Sequence, residues 1–233
     1  MTKGGVRVEG QLTWRGRFEL DNQYVRTYWL SMARPSHREK IIESGVDTAY
    51  RRGFATTGLR EFAAAAGVPA GSFTNHFRSK EAFGIVVLDR YFEQLQDIVE
   101  RTLRDETCAP LDRLRAYFDT IIGRLQSVGW RHGCLIGNMS LEAAEHSEAL
   151  RARLSEVFAA WVEPFREAVK AGQARGEVRA DLEANEIAEF LLAGWHGAMM
   201  RMKVERSPEP LERFKRIAFA TVLAPPDKGG SLV

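Results

Sequence analysis

The tightest constraint on the fold of this chain is a three-residue break, Gly67-Val68-Pro69, between two short segments with apolar residues at helical spacing. Before it, Leu59, Phe62 and Ala63 share one face of a segment from about Thr57 to Ala66. After it, Phe73 and Phe77 stand one turn apart in a segment from about Ala70 to Phe77. Gly67 permits a sharp turn, and the alanine run 63–66 lets a second helix come close. Glu61 sits in the first turn, where the helix dipole favours negative charge. The pattern predicts two crossed helices. The second presents Ala70, Gly71, Ser72, Thr74, Asn75 and His76 on its open face. Small and polar groups of this kind suit a helix that enters a DNA groove, because hydroxyls and amides reach base edges and phosphates.

A helix precedes the pair. It begins after Pro35, carries the stripe Ile41, Ile42, Gly45, Val46 and Ala49, and stops at Gly53. After the pair the chain stays helical. Phe83 to Ile98 mark one amphipathic helix, Leu111 to Leu125 another, and Leu135 to Ala144 a short one behind a break at Gly129 to Gly133. Leu150 to Val169 trace a long helix with Pro164 inside, where a kink is expected. The last two run from about 183 to 204 and 208 to 223. Strand alternation is absent. The reading is an all-α chain of about nine helices: a helix-turn-helix part at 32–80, a larger body at 81–225 and a short tail at 226–233.

Residues 1–31 hold Gly4, Gly5, Gly10 and Gly16 and no sustained period. Two readings stand for them: an extension ahead of a working start at Met32, or a basic arm (Arg7, Arg15, Arg17, Arg26) that touches DNA. Charge divides along the chain. Residues 1–80 carry thirteen Lys/Arg against seven Asp/Glu, and residues 81–233 carry twenty against twenty-four. A basic end ahead of an acidic body suits a nucleic-acid-binding part joined to a regulatory one. With Cys108 and Cys134 as its only cysteines, the chain has no disulfide framework. With no signal-peptide pattern and no membrane span, a cytoplasmic protein is expected.

The stretch from Thr56-Thr57-Gly58-Leu59-Arg60-Glu61-Phe62-Ala63, through Gly67-Val68-Pro69, to Phe73-Thr74-Asn75-His76-Phe77-Arg78-Ser79-Lys80-Glu81-Ala82-Phe83 resembles the helix-turn-helix signature of the TetR family of repressors. The resemblance implies a double-stranded DNA operator, a small-molecule effector and a homodimer formed through the last two helices. A two-fold dimer in turn implies a palindromic operator. It places Thr57 as the cap of the first helix of the pair and as a phosphate donor, with Thr56 and Arg60 nearby. Gly71, Ser72, Thr74, Asn75 and His76 fall on the recognition helix, and Lys80 falls at a helix start suited to a phosphate. Two positions depart from the family pattern: Ala70 stands where a basic residue is common, and Thr74 where an aromatic one is. Arg60, Arg78 and the N-terminal arm are the candidates to compensate. Activation, or an architectural role on DNA, is the alternative to repression.

In the body, Trp130-Arg131-His132-Gly133-Cys134-Leu135-Ile136-Gly137-Asn138-Met139 resembles a Gly-Cys-Leu…Gly-Asn element of a TetR branch that includes sensors of electrophiles and acrylate-like compounds. Cys134 precedes a short helix whose N-terminus favours a thiolate, with Arg131 and His132 adding positive charge. Three readings are open for it: a buried packing residue, a reactive thiol, or an unreactive cavity wall. Trp130, Asn138, Trp161, Phe165, Trp195, His196 and Met199 are the other candidate cavity walls. An enzyme pairing Cys134 with His132, His146 or His196 is the rival from another class, but no oxyanion or phosphate loop accompanies it. No catalytic role, cofactor or metal site is expected.

Overall fold

Ser36 opens the first helix, its hydroxyl accepting the Glu39 N–H at 3.2 Å. Helix α1 (His37–Arg52) buries Ile41, Ile42, Gly45, Val46 and Ala49 and ends at Gly53, whose φ of 83° lies in the left-handed region that favours glycine. This computed structural model describes residues 36–226. The N-terminal arm, the alternative working start at Met32 and residues 227–233 lie outside the described residues.

Helix α2 (Leu59–Ala65) and helix α3 (Ala70–His76) form the crossed pair, joined through Gly67 at φ 66°. Helix α2 starts two residues later than its periodicity predicts. Thr57 is buried and its hydroxyl donates back to the Gly53 carbonyl at 2.7 Å, so the chain turns there instead of coiling. Gly58 becomes the cap, and its N–H donates to the Glu61 carboxylate at 2.7 Å.

Helix α4 (Lys80–Arg101) leads from the pair into the body. Its Phe83, fully buried, lies 5.0, 4.9 and 4.9 Å (ring centres) from Phe62, Phe73 and Phe77. One ring thereby fixes the angles of α2 and α3 to α4. Helices α5 (Pro110–Ser127), α6 (Leu135–Ala143), α7 (Glu148–Ala174), α8 (Ala184–Glu205) and α9 (Glu209–Ile217) complete the body. Helix α7 continues across Pro164 and packs on α4, α5 and α8, while α8 packs on α9. A π-helical turn, Ala218–Val222, replaces the expected end of the last helix. The described residues comprise nine α-helices and no strand, as the periodicity predicts.

Helix α6 meets α1 and the α1–α2 linker. Glu142 accepts the Ala55 N–H at 2.9 Å, and Ser147, the cap of α7, bonds to Glu81. Phe54, in the same linker, packs on Gly84 so closely that an added Cβ would sit 2.5 Å from its Cζ. Overpacking of that kind costs about 1–3 kcal/mol, and helix propensity returns up to about 1. Gly84→Ala is therefore expected to lower stability by about 1–2 kcal/mol, with a lower urea midpoint and an unchanged slope. A variant as stable as the parent would show that Phe54 can move aside.

Candidate functional site

Helix α3 is anchored by Phe73 and Phe77, which are buried and pack 5.1 Å apart. The rest of its surface is open. Ala70, Gly71, Thr74, Asn75 and His76 are exposed, and Ser72 is half-buried. Ser72 shares a hydrogen bond with His37 at the start of α1 (3.2 Å), and Thr74 donates to the Gly71 carbonyl at 3.0 Å. Arg38 lies over the Phe77 ring at 5.7 Å, which brings an exposed guanidinium to the end of α3. Arg60 is exposed on α2, and Arg78 follows α3 on the surface. The result is a convex helix face with hydroxyl, amide and imidazole groups and flanking cations. That face can enter a major groove.

Two residues expected at phosphates are engaged elsewhere. Thr57 is 2% exposed and already donates to Gly53. Lys80 folds inward: its ammonium donates to the Ala55 carbonyl at 2.6 Å and lies 5.3 Å from the Phe54 ring centre. Burial lowers the Lys80 pKa, against the pull of Glu142 and Glu61. Thr57 therefore closes the α1–α2 linker on itself, and Lys80 ties that linker to α4. Thr56, exposed, donates to the Arg52 carbonyl at 2.5 Å.

In the body, Cys134, Asn138, His196 and Met199 share a cavity of about 190 Å³ with Phe158 and Lys203. Cys134 caps α6 and is buried. Burial pushes its thiol up to about 11, although the N–H groups of Gly137 and Ile136 and the Tyr91 hydroxyl pull it down. The expected helix-N-terminus effect is present but loses to desolvation, so the thiol is protonated at neutral pH. His132 does not reinforce it. Its ring stacks on Tyr50 of α1 at 4.8 Å and an interplanar angle of 10°. His196 Nε2 is buried with no hydrogen-bond partner among the described residues. Burial pushes the His196 imidazole down to about 4, so it is neutral, with its ring edge-on to Trp161 and Phe158.

The larger aromatics are not among the residues lining this cavity, although Trp161 touches His196. Trp161, Phe165 and Trp195 are buried in the core. The Trp161 indole donates to the Tyr117 hydroxyl at 2.9 Å, Phe165 packs on Tyr117 at 4.8 Å, and Trp195 packs on Phe118 at 4.8 Å. Trp130 occupies a left-handed turn, φ 59°, with its carbonyl accepting from Arg206 at 3.1 Å.

Residues 41–83 match the family model described as bacterial regulatory proteins, tetR family. Residues 110–218 match the tetracyclin repressor-like C-terminal domain. The HTH-type transcriptional repressor DhaR of Mycobacterium sp. (strain GP1) is 42% identical over 192 residues, covering 82% of this chain and 95% of that protein. The chain belongs to the TetR family. Transcriptional regulator AcuR of Cereibacter sphaeroides is 33% identical over 178 residues, covering 76% of this chain and 81% of that one. The crystal structure of E. coli NemR in its reduced form superposes with a TM-score of 0.72 at 30% identity, covering 81% of this chain and 98% of that one. The TetR-family fold is thus shared along both parts of the chain.

Several contacts at this site were beyond sequence reasoning. His37 and Arg38 reach α3 from a separate helix, with only the helix start at residue 36 as a hint. The Tyr50–His132 stack joins residues 82 positions apart and leaves no local pattern. No helix among the described residues is long and apolar enough to cross a membrane.

Proposed function

We propose that this TetR-family chain is a homodimeric transcriptional repressor that leaves its operator when a small molecule binds the body. The open polar face of α3, held by Phe73 and Phe77 against Phe83, carries the DNA-binding half of that reading. Asn75, Thr74 and His76 are assigned to base edges, and Gly71, Ser72, Arg60 and Arg38 to the groove rim and backbone. In this reading residues 32–80 are the DNA-binding part and 81–225 the effector and dimer part. DhaR and NemR are named as repressors, which favours repression over activation or an architectural role.

The dimer face is assigned to α8 and α9. Phe190, Ala193, Gly197, Met200 and Val204 are exposed and recur every three or four residues, forming one stripe on α8. Ile217 adds an exposed apolar side chain on α9. Such a stripe in water calls for a partner helix, and the small Ala193 and Gly197 allow close approach. A two-fold dimer presents two copies of α3 to a palindromic operator.

The effector site is assigned to the cavity around Cys134, Asn138, His196 and Met199. The neutral His196 imidazole has an unused nitrogen to offer a polar ligand group. NemR's solved form is described as reduced, which makes redox state a variable for that relative. By that kinship Cys134 is the candidate reactive group here. Addition to an electrophilic alkene would form a sulfur–carbon bond and move the thiol proton to the neighbouring carbon. With the thiol protonated and buried, reaction requires a transient opening of the cavity. N-ethylmaleimide is expected to release labelled operator DNA from the wild-type protein and to leave Cys134→Ser bound, as read by fluorescence anisotropy. Equal release from both proteins would end the thiol reading and leave Cys134 as a cavity wall.

A further inference from the structure

The last turn of α1, the 129–133 break and the end of α8 enclose a cleft of about 550 Å³. Arg51, Arg131, Lys203 and Arg206 line it beside the stacked Tyr50 and His132. Asp47 pairs with Arg51 at 2.9 Å, but among the described residues no carboxylate is within ion-pair distance of Arg131, Lys203 or Arg206. Other cations of the body, among them Arg90, Arg104, Arg153, Arg166 and Arg179, carry carboxylate partners. The charges of Arg51, Lys203 and Arg206 all act on His132, so they share one neighbourhood.

The backbone is also unusual here. Trp130 (φ 59°) and Arg206 (φ 53°) are the two non-glycine residues in left-handed conformation among the described residues, and they are hydrogen-bonded to each other. Conformations of this kind are disfavoured for side-chain-bearing residues and gather at ligand clamps. The cleft shares Tyr50, Val128 and His132 with an adjoining chamber of about 260 Å³, walled by Tyr91, Leu95, Ile121 and Met199.

We propose that the cleft binds a small organic dianion, a phosphate ester or a paired carboxylate, with its apolar portion in the adjoining chamber. Beside the Arg51–Asp47 pair, the three cations without a carboxylate partner repel one another, and a single negative charge leaves part of that repulsion in place. Guanidinium groups match the oxygens of phosphates and carboxylates with paired hydrogen bonds. Because Arg51 and Tyr50 belong to α1 while the other groups belong to the body, a bound dianion ties the DNA-binding part to the body. Occupancy would therefore favour the arrangement seen here over one in which α1 has moved away.

The inference deepens the reading of the body as an effector-binding part. Its test omits DNA, so a failure here leaves operator binding untouched. The full chain is titrated calorimetrically with hexyl phosphate, butylmalonate and the uncharged hexanamide. One or both dianions should bind, the tighter identifying the source of the charge, and hexanamide should bind at least about tenfold more weakly. Arg131→Gln and Lys203→Gln should each weaken dianion binding by about tenfold while leaving probe-free thermal unfolding unchanged. If neither dianion binds, or if both variants bind them as the parent does, the inference fails.

Discussion

Phe83→Ala is expected to cost about 3–5 kcal/mol of stability and to remove DNA binding with it. The ring is fully buried at the point where α2, α3 and α4 meet, and it contacts three other phenylalanines. An added Cβ on Gly45 would lie 2.6 Å from Phe83 Cζ, so α1 also closes on the ring. Deleting it empties the point at which α1, α2, α3 and α4 pack together. The buried core runs without a break from Ile41 to Leu223, so the loss should appear as one cooperative lowering of the unfolding midpoint. Phe83→Leu, which keeps most of the volume, should lose less than about 1.5 kcal/mol and retain DNA binding. Urea unfolding followed by circular dichroism, with operator titration alongside, measures both effects. An alanine variant with parental stability and affinity would contradict the placement of this ring as the anchor of α3.

The second large effect is expected at the α8 stripe. Met200 is 60% exposed and Val204 is 83% exposed in one chain. The proposed two-fold dimer repeats each substitution, so Met200→Glu combined with Val204→Glu would place four unpaired carboxylates in its interface. Burying an unpaired charge costs several kcal/mol per ion. The variant should sediment as a monomer, and its operator affinity should fall by about 100-fold or more because two linked half-site contacts become one. Leu182→Glu, an exposed apolar residue off the stripe, should leave the dimer intact. A dimeric double variant would move the interface elsewhere.

How far the sequence anticipates this structure depends on how local each determinant is. The crossed pair was legible because Leu59, Phe62, Phe73 and Phe77 repeat within single helices and Gly67 marks the turn between them. Position alone assigns Thr57 and Lys80 to phosphate, but Thr57 bonds to Gly53 four residues back and Lys80 bonds to Ala55, 25 residues away. A hydroxyl or ammonium is claimed by the nearest unsatisfied carbonyl, and periodicity carries no record of which carbonyl that is. The aromatics of the body were ambiguous for a related reason. Trp161 reads equally well as core or cavity until its indole is seen to meet Tyr117, 44 residues away. The cationic cleft was invisible because its charges come from three separate segments, each ordinary alone.

The most direct measurement is a selection of bound sequences from a random DNA pool by the full chain, with Asn75→Ala run in parallel. The account predicts one palindromic motif, its half-sites centred about one helical turn (~34–36 Å) or a multiple apart. The Asn75→Ala protein should lose preference at one position in each half-site, with affinity for the parental motif reduced by about 1–3 kcal/mol. No enriched motif, or the same motif at the same affinity from both proteins, would contradict the claim that the open face of α3 reads DNA.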